Sequence, residues 1–240
     1  MDLHCHQQPE QVAAAGARFI ASLAREAIKS RGSFTLAVSG GSTPWGMLNS
    51  LAQESLPWQN VHIFQVDERV APDADAARNL VQLQSQLINR IDIPKANVHA
   101  MPVTHKDLQT AVRDYVDELN QYAGTPPVLD LVHLGLGSDG HTASLVPGDG
   151  LLTCEDRDVA VSGMYQGHLR MTLTYPVINR ARNILWLVMG ADKKDMLAKL
   201  IQADPAIPAG RVSQEKAFIF TDIEVSQQEL ALPKKEIQKC

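Results

Sequence analysis

Cysteine, aromatic residues, excess positive charge and long apolar runs are all scarce in this chain, and each scarcity excludes something. The 240 residues include three cysteines, Cys5, Cys154 and Cys240, with no C-x-x-C pair. A disulfide framework is therefore not expected, and a reducing, cytoplasmic setting fits best. Acidic residues outnumber basic ones, 27 to 22, for a formal net charge of -5. That balance speaks against a non-specific nucleic-acid binder, which needs a basic face to displace counterions from phosphates. An anionic small ligand stays open, because a few local Arg and Lys can dominate a cleft. No apolar stretch approaches the ~18 residues of a membrane span, and the first residues lack the basic and apolar regions of a signal peptide. Aromatics make up only 5% of the chain, so Ala, Leu and Val must fill the core. An apolar fraction of 45% with 20% charged residues is that of an ordinary globular protein.

Apolar strand-like runs alternate with amphipathic helical ones. Helical periodicity spans Gln11 to Lys29, recurs over Met47, Leu48 and Leu51, and returns over about 76–91, Leu108 to Tyr122, and from Lys193 to about Ala203. Strands are expected at Phe34–Val38, Val61–Val66, Leu129–Leu134, Val159–Val161, Leu169–Thr174, Ile184–Met189 and Ala217–Phe220, with a short run at Val98–Met101. This alternation predicts an α/β fold with a mostly parallel sheet covered by helices on both faces. No repeat, low-complexity tract or linker divides the chain, so a single domain over 1–240 is expected. In such folds ligands collect outside the carboxyl ends of the strands. The turns that follow the strands are therefore where chemistry should be sought.

Ser39-Gly-Gly-Ser-Thr-Pro44 joins a strand to a helix. Gly40 and Gly41 permit a tight turn whose N–H groups can face an anion, and Ser42 and Thr43 add hydroxyl donors. Thr43 is the expected N-cap and Pro44 the first helical residue. The segment has neither the Gly-Lys-Ser/Thr ending of a Walker loop nor a G-x-G-x-x-G pattern, and a turn chosen for backbone geometry alone is the alternative. Asp67-Glu-Arg69 places three charges at a strand end. Asp67 could orient a histidine or hold a water, and Arg69 could grip an anion through its planar fork. Taken alone, a solvated turn explains these three residues slightly better.

Gly135-Leu-Gly-Ser-Asp-Gly-His141 is the strongest signal. Three glycines after a buried strand free the backbone to present Asp139 and His141 together. Histidine is the side chain best suited to accept a proton near neutral pH, and a nearby carboxylate can fix its tautomer. Asp139 lies close to His141 in sequence, so Asp67, from another loop, is the expected partner; a structural histidine at a helix start is the alternative. Arg170 interrupts an apolar strand and Lys193 opens a helix, where the helix dipole disfavours a cation. A bound anion would explain both. His4-Cys5-His6 lies on an expected frayed terminus, and His62, His99, His105 and His168 have no neighbouring constellation. No metal site is inferred.

Together, Ser39-Gly-Gly-Ser-Thr-Pro44, Asp67-Glu-Arg69, Gly135-x-Gly-x-Asp-Gly-His-Thr-Ala-Ser-Leu145, Arg170-x-Thr-Leu173 and Gly190-x-x-Lys193 resemble the 6-phosphogluconolactonase family over about residues 10–222. The resemblance implies a modified Rossmann-like sheet, similar to glucosamine-6-phosphate deaminases and ribose-5-phosphate isomerases. It also implies hydrolysis of 6-phospho-D-glucono-1,5-lactone, in the oxidative pentose phosphate pathway, without a cofactor. His141 would be the base and Asp67 its polar neighbour. Arg69 would contact substrate, with Asp139 and Gly140 also placed in the substrate site. The turn Ser39, Gly40, Gly41, Ser42 and Thr43, with Arg170 and Lys193, would receive the phosphate; Lys194 is adjacent and easily confused with Lys193. The partner would be a small phosphorylated sugar lactone, with no nucleic acid or membrane, in a monomer or homodimer.

Two departures stand out: Val146 where the family usually has Phe before the proline, and Arg78 where a Ser commonly precedes Asn79. Deaminases of the same fold carry a Glu five residues after the His, where this chain has Val146. A non-catalytic sugar-phosphate sensor would need a DNA-binding module, for which the residues before Ser39 offer only one convincing helix.

Overall fold

The computed structural model describes residues 1–41 and 43–225; Ser42 and Cys240 lie outside them. The chain opens with a strand, β1 (Asp2–Cys5), and a long helix, α1 (Pro9–Arg31), then β2 (Phe34–Val38) and α2 (Pro44–Leu51). Next come β3 (Val61–Gln65), β4 (Asp67–Arg69), α3 (Asn79–Gln86), β5 (Val98–His99), α4 (Leu108–Ala123) and β6 (Leu131–Leu134). The remainder is β7 (Val159–Val161), β8 (Arg170–Leu173), α5 (Tyr175–Arg180), β9 (Ile184–Val188), α6 (Lys194–Ile201) and β10 (Ala217–Thr221).

Seven strands pair in parallel in the order β1-β10-β9-β6-β2-β3-β5. Both faces are covered, as period-two alternation along each strand shows. In β9, Ile184, Trp186 and Val188 pack into one core cluster with α4, α5 and α6, while Leu185 and Leu187 pack into another with α1, α2 and α3. Strands buried on both sides must be apolar throughout, which is why Ile184–Val188 reads as an unbroken apolar run. Chain order reverses between β2 and β6, so this pair forms the switch point where a cleft opens at the strand carboxyl ends. Ser39 follows β2 and Gly135 follows β6. Both turns therefore lie on the rim of that cleft.

Three expectations are corrected. Asp67–Arg69 is not a solvated turn but a strand, β4, in a separate antiparallel sheet ordered β4-β8-β7. The helix expected over about 76–91 is α3 alone, followed by a 3-10 turn at Ile88–Arg90. The amino terminus is not frayed: β1 adds to the sheet edge beside β10, and the His4 ring stacks on Phe220 at 4.6 Å. Alternating short residues give little local signal for such a strand, which is recruited by the exposed edge of β10. No helix among the described residues is long and apolar enough to cross a membrane.

Candidate active site

A cavity of about 220 Å³ opens at the carboxyl ends of the central strands. Ser39, Gly40, Gly41 and Thr43 form one wall, Gly135, Leu136, Gly137 and His141 another, and Asp67, Arg69, Arg170 and Lys193 a third, with Pro44, Asn79 and Ala143 completing the lining. Five segments far apart in sequence thus converge on one space, as strand topology required. Thr43 occupies the cap position of α2 but has helical dihedrals and makes no side-chain cap hydrogen bond, contrary to expectation; Pro44 is at the helix start as anticipated. Ser39 is buried, and its hydroxyl donates to the His133 carbonyl at 3.0 Å, so it braces the turn from behind. Gly40 must lack a side chain, because a Cβ there would overlap the Asn79 amide.

The β4 strand explains its own three charges. Period two sends Asp67 and Arg69 to the cavity side and Glu68 to the opposite, buried side. Glu68 is 0% exposed. Its carboxylate accepts from the N–H groups of Asn79 and Leu80, capping α3, at 2.8 and 2.9 Å. Arg78, the residue that departs from the family pattern, pairs with Glu68 at 3.1 Å and is 3% exposed. It braces α3 from inside rather than reaching the cavity. Asn79 then links the layers: its amide nitrogen donates to the Asp67 carbonyl at 2.9 Å, and its oxygen accepts from Arg69.

Across the antiparallel ladder Arg69 lies directly opposite Arg170. Like charges in that relation repel. Arg170 is 4% exposed, its Nε has no hydrogen-bond partner among the described residues, and Asp67 lies at 4.0 Å. Burial, reinforced by the neighbouring Arg69 charge, lowers the Arg170 pKa; Asp67 offsets part of this. Burial likewise raises the Asp67 pKa, and the Ser144 hydroxyl, donating at 2.7 Å, and the two guanidiniums pull it back. Lys193 lies in a 3-10 turn, Ala191–Lys193, just ahead of α6, and faces the same cavity. Lys194 lines a different depression with Asp222 and Glu224. Arg69, Arg170 and Lys193 thus face the cavity with Asp67 beside the guanidiniums and Asp192 paired to Lys193 at 3.3 Å, a locally cation-rich wall in an acidic chain.

His141 is oriented by Asp139, not by Asp67. The Asp139 carboxylate is 2.6 Å from His141 Nδ1 and also accepts the His141 backbone N–H at 3.1 Å. Sequence proximity was no obstacle, because Gly140 takes a φ of +82° and folds the turn back on itself. Asp67 bonds Ser144 instead, an arrangement set by the antiparallel β4–β8 pairing. Partial burial works to raise the Asp139 pKa. The bonds from the His141 backbone and ring, its charge, and the Tyr165 hydroxyl prevail and hold it below the ordinary carboxylate value. An ionised Asp139 places the proton on Nδ1 and leaves Nε2 as the free acceptor. His141 lines the cavity, with its side chain 25% exposed.

Asp139 and Gly140 themselves do not line the cavity. Gly140 accepts the Ala209 N–H at 3.0 Å and packs against Ile207, so its place is structural. Sequence reasoning missed Tyr165, whose hydroxyl donates to Asp139 at 3.0 Å; a lone tyrosine between glycines carries no local signal. It also missed the cluster in which His62 Nδ1 lies 3.1 Å from His99 Nε2 and His99 Nδ1 lies 2.7 Å from Glu118. Two adjacent strands and a helix create that cluster. His133, within β6, is fully buried, and burial lowers its pKa to about 3.

Known proteins share the sequence pattern and the fold of this chain. The description "Glucosamine-6-phosphate isomerases/6-phosphogluconolactonase" matches residues 7–220. A 6-phosphogluconolactonase of Synechocystis sp. is 41% identical over 186 residues, covering 75% of this chain and 77% of its own. The solved 6-phosphogluconolactonase of Trypanosoma brucei superposes with a TM-score of 0.80 at 28% identity, covering 92% and 95% of the two chains. A monomeric glucosamine-6-phosphate deaminase shares the fold at a TM-score of 0.79 and 19% identity, covering 92% of this chain and 97% of that one. The chain belongs to the glucosamine-6-phosphate isomerase/6-phosphogluconolactonase family.

Proposed function

We propose that this chain hydrolyses 6-phospho-D-glucono-1,5-lactone to 6-phosphogluconate, as in the oxidative pentose phosphate pathway, with His141 as general base and no cofactor. The observation that carries the proposal is the cavity itself. It holds a histidine whose tautomer is set by Asp139, facing a wall of Arg69, Arg170 and Lys193. A phosphate held on that wall fixes the other end of a small substrate and presents its reactive carbon to the base.

Nε2 of neutral His141 takes a proton from water as the water oxygen bonds to C1 of the lactone. The carbonyl electrons move to oxygen, and Arg69 stabilises the charge while Arg170 and Lys193 hold the phosphate. Collapse breaks the bond from C1 to the ring oxygen, which leaves with the proton carried by the imidazolium. Asp139 stabilises that imidazolium without itself becoming protonated. A δ-lactone is already an activated ester. The ~10²–10⁴-fold that a positioned base supplies is therefore a large share of what is needed.

Val146, five residues after the histidine, is buried and apolar. It offers no proton-transfer group for opening an amino sugar, which favours the lactonase over the deaminase reading. Proton release from freshly generated lactone, against a no-enzyme control, tests the proposal. Hydrolysis well above the spontaneous rate, with no ammonia from glucosamine 6-phosphate, is expected. A lactone rate equal to the control refutes it.

A further inference from the structure

The loop between β7 and β8 holds two side chains, outside the family motifs, that touch residues of the site from behind the cavity lining. Tyr165 donates its hydroxyl to Asp139 Oδ2 at 3.0 Å, and its oxygen stands 3.3 Å from His141 Nδ1. Its ring meets the His141 ring edge to face, with centroids 5.4 Å apart. The Arg170 guanidinium lies over the same tyrosine ring, 5.1 Å from its centroid. The next residue, Gln166, accepts from Arg170 at 3.1 Å and has a φ of +50°. A non-glycine residue held in that region signals that the surrounding contacts fix the loop.

We infer that Tyr165 is a positioning residue: it acts through Asp139 to hold His141 in its Nδ1-protonated tautomer, and its ring backs the Arg170 side chain of the anion wall. This rests on the lactonase reading for its kinetic consequences but not for its structural ones.

Asp139 Oδ1 serves the His141 ring and backbone N–H, and Oδ2 serves Tyr165. With both oxygens engaged the carboxylate cannot rotate, and the imidazole bonded to it is held in register. Without the hydroxyl, Oδ2 has no donor among the described residues. The carboxylate is then free to turn, and both tautomers of His141 become populated. In the tautomer with the proton on Nε2, no base faces the cavity. The titratable groups against the His141 ring are Asp139 and Tyr165, and Arg170 lies over the tyrosine ring.

Tyr165→Phe removes only the hydroxyl. With the lactone, kcat should fall on the order of 10-fold, as for loss of one hydrogen bond to a charged group, while KM stays within about 2-fold. The acid limb of the kcat/KM profile should move to lower pH, since a carboxylate free to turn away from the ring stabilises the imidazolium less. Tyr165→Leu, which also removes the ring behind Arg170, should raise KM in addition. A purely structural tyrosine would lower the thermal midpoint and leave the pH profile unmoved. Ring ¹⁵N resonances of His141 provide a readout independent of turnover. They should report mainly the Nδ1-protonated form in the wild type and a mixture in Tyr165→Phe. A Tyr165→Phe enzyme with wild-type kcat and pH profile, or with an unchanged His141 tautomer, overturns the inference. A wild-type protein inert toward the lactone, but with the tautomer shift present, overturns the substrate reading alone.

Discussion

A single methyl group at position 137 should disable the base and spare the anion wall. The φ of Gly137 lies outside the left-handed region, so alanine suits the backbone. The obstacle is the side chain of His141: a Cβ on residue 137 would overlap Nδ1 and Cε1 of the ring and come within 2.7 Å of Asp139 Oδ1. The turn cannot easily yield. Gly137 N–H donates to the His141 carbonyl at 2.8 Å, and the Gly140 N–H donates to the Gly137 carbonyl at 3.0 Å. The imidazole must therefore swing away and surrender its bond to Asp139. Losing a positioned base costs about 10²–10⁴-fold in rate, or roughly 3–5 kcal/mol of barrier. The repacking strain is about 1–3 kcal/mol, which lowers the melting temperature by roughly 2–12 °C for a chain of this size. The assay is proton release from fresh lactone at 25 °C, with KM measured alongside. A large fall in kcat with little change in KM is expected, because Arg170 and Lys193 are untouched. Wild-type kcat in Gly137→Ala would refute the placement of His141, and a loss confined to KM would refute its role.

Lys193→Ala should weaken 6-phosphogluconate binding about 10–100-fold by calorimetry, as for loss of a charge-assisted bond. Lys194→Ala should leave it unchanged, since Lys194 faces away; equal effects would contradict the assignment. Glu68→Gln removes the buried carboxylate that pairs with Arg78 and caps α3, leaving Arg78 only the exposed Asp73 at 3.1 Å, at a cost of about 3–5 kcal/mol. Thermal unfolding should shift down by roughly 6–20 °C, and a shift under about 2 °C would refute the buried pair. His133, held neutral down to about pH 3, binds fewer protons folded than unfolded between its ordinary value near 6.5 and that limit. Stability is thus lost as pH falls through this window, by about 2 kcal/mol at pH 5 from this residue. Urea titrations at pH 7 and pH 5 should show a smaller acid loss in His133→Asn, and an equal loss would contradict the burial argument.

Much of the site was legible because parallel α/β topology ties function to strand ends. Gly40, Asp67 and His141 are placed on one rim by sequence alone, since each lies in a turn after an apolar run, whereas Arg170 and Lys193 are legible only as cations that a bound anion would explain. What escaped depended on contacts between segments. Asp67 was paired with His141 on the ground that Asp139 was too near in sequence, but one glycine at +82° made the near residue the partner. The roles of Glu68 and Arg78 follow from β4 being an antiparallel strand, and three residues are too few to show period-two alternation. Tyr165 reaches Asp139 across 26 positions from a loop with no periodicity. β1 owes its strand to the edge of β10 rather than to its own composition.

The central claim is that His141 is the base while the phosphate is bound elsewhere. His141→Ala should be assayed for hydrolysis of fresh 6-phosphogluconolactone and for 6-phosphogluconate affinity on the same preparation. The expected result is kcat lowered about 10²–10⁴-fold with the product Kd within about 2-fold of wild type. Undiminished turnover in His141→Ala would contradict the claim outright.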